Sequence, residues 1–196
     1  MFFRLVLTIL AMAAHPAHAA ELPEVVTRQL PMGSDVIASE SGRLDGGTRP
    51  DFIVALGRPD EAEIARATGS APARPLLIFR PDARGGYRLA GRNDRVVFRL
   101  DEGGQCGPFM DGYEGIVVSG DRFTVQNGVA CGQHWTDFIT FRFDATWHEF
   151  VFQRRDGQSW KLNASTDPGA EVLVPDGAFT ARADRRRPVA FGDYRP

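Results

Sequence analysis

The sequence predicts a mainly β protein: two antiparallel meanders packed against each other, with one short helical insertion. Apolar and polar residues alternate at period two through most of the chain. The apolar positions are filled by β-branched and aromatic side chains. The intervening segments are built from turn-forming residues.

In chain order, the first half predicts strands over 35–39, 51–56, 75–80, 87–91 and 96–100. Of these, "PLLIFRPDARGGYRLAGR" reads as a hairpin turning through Asp82-Ala83-Arg84-Gly85-Gly86. The second half predicts strands over 115–118, 122–126, 135–143, 149–154 and 159–162, separated by Ser119-Gly120-Asp121, Asn127-Gly128 and Asp156-Gly157. Its clearest pair is "HWTDFITFRFDATWHEFVFQRRDGQSW". Ile139, Phe141 and Phe143 alternate with Thr140, Arg142 and Asp144, and Phe150 and Phe152 alternate with Val151 and Gln153. One face is apolar and one polar, as in an antiparallel hairpin laid over a core. The helical segment is "PDEAEIARAT", with Pro59 at its start, Asp60 and Glu61 in its first turn and Arg66 late, a surface insertion between strands.

The two ends read differently. "MFFRLVLTILAMAAHPAHAAELPE" has a basic n-region at Arg4, an apolar run over 5–14 and an A-x-A site at Ala17-His18-Ala19. That is the pattern of a secretory signal peptide over 1–19, cleaved before Ala20, and the run is too short for a membrane span. The expected product is periplasmic or secreted, with a β domain over 20–164. The segment 165–196 reads as a partly ordered C-terminal extension. It is richer in Pro, Asp and Arg, with a strand candidate at 178–181, the run Arg185-Arg186-Arg187 and the apolar "VAFGDY". Its arginines read as solvated.

Composition limits the partners. The whole chain carries 23 basic and 25 acidic residues, and loss of the signal removes one arginine and no acid. No basic stripe appears in the linear sequence, so there is no electrostatic case for nucleic acid or an anionic membrane. Both cysteines, Cys106 and Cys131, lie in the exported part, where a disulfide is expected. Closing a loop of about 26 residues is worth about 3.5 kcal/mol in the chain-entropy model. A metal pair or a redox couple would call for C-x-x-C or His–Cys clustering, which the sequence lacks.

The loop "SGRLDGGTRPDF", and the wider "RLDGGTRPDFIVAL", resembles the D-x-N-G-D-G-x-P-D calcium loop of FG-GAP and VCBS-type repeats. With "PLLIFRPDARGGYRLAGRND" the resemblance extends over roughly one unit. The whole chain also resembles bacterial exported proteins of uncharacterised function that carry such a degenerate unit. The resemblance implies that the first meander is like a single propeller-type blade. A complete propeller is excluded by length, and one blade leaves a face for the second meander to cover. Carried over by position, the ligand places fall on Arg43, Asp45, Gly47 and Asp51. Only Asp45 and Asp51 are carboxylates, where calcium needs six to eight oxygens. The loop reads as a metal-free turn in which Arg43 pairs with Asp45 or Asp51; a weak calcium site on those two aspartates is the alternative.

No zincin, nucleophile-elbow or phosphate-loop motif is present. The most unusual stretch is "DEGGQCGPFMDGYEG", a long loop that a disulfide would tie to "NGVACGQHW". That would gather Asp111, Tyr113, His134 and Trp135 into one neighbourhood. Three readings follow: a loop pinned for stability, a binding patch on these four residues, or a catalytic His134 served by Asp111 or Asp137. Taken together, the residues describe a non-catalytic binding or envelope-associated module, its partner another envelope protein or a small ligand. A hydrolase-like enzyme with a site near the Cys106 and Cys131 loops is the alternative.

Overall fold

The computed structural model describes residues 20–109, 113–131 and 134–196. The alternation resolves into nine strands among them, in two antiparallel sheets. The first sheet contains β1 (Asp35–Gly42), β2 (Asp51–Gly57), β3 (Arg74–Pro81) and β4 (Tyr87–Val97), neighbours in that order. The second contains β5 (Ile116–Ser119), β6 (Arg122–Val129), β7 (His134–Asp144), β8 (Glu149–Leu162) and β9 (Leu173–Arg182), also in chain order. The two-meander architecture read from the sequence is therefore the architecture of the protein.

The first sheet is covered on both faces, which explains why β2 is buried at every position. Ile53, Ala55, Leu76 and Ile78 face the second sheet. Phe52, Val54, Leu56, Leu77 and Phe79 face the other way, onto Val26 of the short helix α1 (Glu24–Thr27) and its neighbours Leu22 and Leu30. The inner face of the second sheet supplies Phe123, Val125, Ile139, Phe141, Phe150 and Phe152. The sheets approach at the β1 and β5 edges, where a Cβ on Gly42 would lie 2.5 Å from Val118 Cγ1.

The packed body continues past residue 164. β9 pairs with β8 over Leu162↔Leu173 to Arg154↔Arg182. A 3-10 turn at Phe191–Asp193 then lodges between β4 and β8. Phe191 meets Phe141 edge-on with ring centroids 5.0 Å apart, and Tyr194 stacks on Phe152 at 4.3 Å. The buried Asn93 amide donates to Phe191 O at 2.6 Å and Tyr194 O at 2.9 Å, fixing the tail to β4.

Four sequence expectations need correction. The strands expected at 87–91 and 96–100 are largely one strand, β4, and those at 149–154 and 159–162 are one strand, β8. Asn127-Gly128 and Asp156-Gly157 are not turns but lie within β6 and β8. Asn127 is buried, its Nδ2 donating to Val96 O at 2.9 Å while its Oδ1 accepts Phe98 N at 3.0 Å, so its side chain stitches the two sheets. The two glycines are floors for rings: Tyr113 lies over Gly128, 2.7 Å from where its Cβ would be, and Phe179 lies over Gly157. Finally, the helix α2 (Glu61–Thr68) forms as read, but it is not merely superficial. Glu61 is buried against Arg74, with Nη2 to Oε2 at 2.7 Å.

Candidate functional site

Cys106 and Cys131 form a disulfide with Cα atoms 6.4 Å apart. It joins the loop after the 3-10 turn Leu100–Gly103 to the connection between β6 and β7. Beyond Cys106 the chain runs beside β6, where Gly128 N donates to Pro108 O at 2.7 Å and Phe109 bridges to Asn127. The staple thus holds a polar loop on the end of the second sheet.

The structure divides three of the four residues gathered by sequence reasoning between two faces. Tyr113 packs edge-on against Phe138, centroids 5.7 Å apart, on the outer face. His134 shares that face, opposite Trp160 across the β7–β8 pair. Trp135 pairs with Val129 and Ser159, points inward and meets Phe98 at 6.0 Å. Asp111 lies outside the described residues. A cleft of about 800 Å³ wraps this end of the sheet and takes in Cys131, His134, Trp135 and Trp160, with Leu162 and Leu173 at the β8–β9 end. Leu162 is 72% exposed there, adding apolar surface beside the two tryptophans.

Acid–base chemistry at His134 needs a positioned partner. Asp137 is not one. It faces inward, three positions along the strand, and its carboxylate is held by Arg155 with Nε to Oδ1 at 2.8 Å. The Asp137 hydrogen bond is the largest influence on Arg155, raising its pKa against the opposing effect of burial. This pair and Tyr194 belong to the packing between sheet and tail.

The degenerate loop has a different cation from the one read in the sequence. Arg43 is exposed, and Arg80, arriving from β3, occupies the place assigned to it. Its Nε donates to Asp51 Oδ1 at 3.1 Å and its Nη2 pairs with Asp45. The same guanidinium lies 4.3 Å from the Phe143 ring centroid, so the loop is tied to the second sheet. Asp45 also accepts Gly47 N at 2.8 Å, forming the turn itself. Asp51 is fully buried, and its Oδ2 meets no donor among the described residues. Burial pushes its pKa up to about 6, against the pull of Arg80 and with a further push from Asp45. Among the described residues, no group of three or more His, Cys, Asp or Glu is placed to hold a metal ion.

Two features were missed in the sequence. Trp160 was read only as part of a strand, and the β8–β9 pairing brings it to the cleft. The second is a set of arginines on the outer face of the second sheet: Arg122 stands directly opposite Arg142, and Arg154 opposite Arg182. Arg122 and Arg142 each adjoin a core phenylalanine in their own strands, a visible signal, but Arg154 and Arg182 do not, and the meeting of all four depends on cross-strand register.

No family model, curated protein or solved structure matches this chain. Among the described residues no helix is long and apolar enough to cross a membrane.

Proposed function

We propose that this is an exported, non-catalytic binding module of the cell envelope, whose site is the cleft beside the disulfide. The observation that carries the reading is that Trp135 and Trp160, on opposite faces of one sheet, both line a single concavity of about 800 Å³. Large, rigid aromatic side chains with few polar groups suit recognition of a small ligand with a flat apolar face. His134 and the Lys161–Asp176 pair, Nζ to Oδ1 at 2.8 Å, supply the polar edge. The disulfide supports export, since such bonds persist in oxidising compartments. In the same reading the Ser41–Phe52 loop is a turn of the calcium-loop type in which Arg80 replaces the ion.

Ligand-observed NMR with soluble ring compounds, indole and methyl glucoside, tests this. Saturation transfer to at least one ring class is expected. It should disappear in Trp160→Ala at unchanged melting temperature and persist in His134→Ala. Absence of transfer, or transfer indifferent to Trp160→Ala, overturns the cleft as the site. Turnover in a hydrolase panel that His134→Ala abolishes without changing the melting temperature overturns the non-catalytic reading.

A further inference from the structure

The outer face of the second sheet carries two cross-strand arginine pairs, Arg122↔Arg142 and Arg154↔Arg182. Like charges directly opposite on one face of a sheet are destabilising. The fold accepts this twice around one groove of about 490 Å³. Between the pairs lie Thr124 and Thr140, whose hydroxyls are 2.9 Å apart. The segment after β9 walls the groove and adds Arg185, and Trp147 stands 64% exposed at its rim. This site is separate from the disulfide cleft and does not rest on it.

The charges do not cancel. Five arginines line the groove against three aspartates, Asp144, Asp156 and Asp184. Asp144 pairs with Arg142 through one nitrogen at 2.7 Å, and Asp156 pairs with Arg154. Arg122 pairs with its neighbour Asp121, Nη2 to Oδ1 at 2.9 Å. Asp184 accepts Arg186 N at 2.8 Å and shapes its own turn. Arg182 adds to the pull of Arg154 on the Asp156 carboxylate without a direct ion pair, and Arg185 enters no direct ion pair among the described residues. Arginines of β6, β7, β8, β9 and the segment after it therefore line one groove with guanidinium donors to spare.

We propose that this groove binds the phosphate group of a small phosphorylated molecule. A planar carboxylate offers two oxygens to one fork, and the aspartates already fill that role. Forks approaching from four strands suit an anion with several acceptor oxygens out of one plane, which phosphate provides. One hydroxyl of the Thr124–Thr140 pair donates to the other, which leaves one neutral donor at the floor, and Trp147 offers a surface for the rest of the molecule. The chain's overall negative charge disfavours a polyanionic surface as the partner, so the ligand is a small one.

The test is isothermal titration calorimetry of the full exported chain with pyrophosphate and inorganic phosphate, at low and physiological salt. Saturable binding that weakens with salt is expected. The double variant Arg142→Gln, Arg182→Gln should weaken it at least about tenfold, the effect of losing charge-assisted hydrogen bonds. Arg66→Gln on α2 should leave it unchanged. Because Arg142 also pairs with Asp144, the single variant Arg182→Gln, which breaks no direct ion pair, should weaken binding too while melting no lower than wild type. The double variant should also keep ring-compound binding at the disulfide cleft, which separates this proposal from that one. No saturable heat up to about 10 mM ligand, or equal weakening by Arg66→Gln, overturns it, as does binding that the double variant leaves intact.

Discussion

Replacing Asp51 by Asn should change how stability depends on pH more than it changes the fold. Asn keeps an oxygen for Arg80 Nε, now 3.1 Å from Asp51 Oδ1, and puts an NH2 where Oδ2 meets no donor among the described residues. The Asp51 side chain is fully buried, and its pKa stands at about 6 against an ordinary 3.8. The folded state therefore holds the proton more tightly than the unfolded chain does. The stability this contributes is complete below pH 3.8 and is lost as pH rises through about 6. The difference corresponds to about 3 kcal/mol, of which about 2 kcal/mol falls between about pH 4.5 and 7.5. Urea unfolding of wild type and Asp51→Asn across that window isolates the residue, because every other carboxylate is common to both. Wild type should lose about 2 kcal/mol relative to the variant as pH rises. A flat difference, or one of opposite slope, would show that Arg80 outweighs burial and that Asp51 ionises in the fold as easily as in water.

Phe191→Ala should destabilise by about 3–5 kcal/mol, the range for emptying a buried aromatic site, measured by chemical denaturation. A loss under about 1 kcal/mol would mean that the tail does not seal the sandwich. Millimolar calcium should leave the melting temperature of wild type unchanged, since Arg80 already lies between Asp45 and Asp51. A stabilisation that Asp51→Ala abolishes would put a metal ion in the loop instead.

The strands were legible because alternation is a local property. "DFIVAL" lacks alternation, and its unbroken apolar run matches a strand buried on both faces, as β2 is. The covering of its second face by Val26 was not legible, since a helix of four residues, Glu24–Thr27, has too little periodicity to register. Gly128 and Gly157 carry turn chemistry in sequence, yet each sits in a strand because a ring from elsewhere in the chain needs the space. The same long-range dependence hid Arg80. A cation beside Asp45 and Asp51 was expected because the first ligand place of the resembled loop falls on Arg43. The β2–β3 register, which sets Phe52 opposite Phe79, places Arg80 beside Asp51. The apolar "VAFGDY" was visible in the tail, but only Asn93 and the ring cluster explain why Phe191 and Tyr194 turn inward.

The distribution of candidate sites follows from the layers. The middle of the first sheet is covered on both sides, by α1 and its neighbours and by the second sheet, while β4 remains partly exposed. Among the described residues the outer face of the second sheet is covered in part, by Tyr113 at one end and the segment after β9 at the other, and its last strand β9 is exposed along most of its length. The tail takes the position between β4 and β8 that a wider first sheet would fill, leaving the β8–β9 ribbon to project. Both clefts draw on that ribbon: Trp160 and Leu173 at one end, Arg154 and Arg182 at the other. Ligand sites at opposite ends of one projecting ribbon share its backbone pairing. Substitutions that loosen β9 should therefore weaken both sites together, while changes in the first sheet should reach them only through global stability.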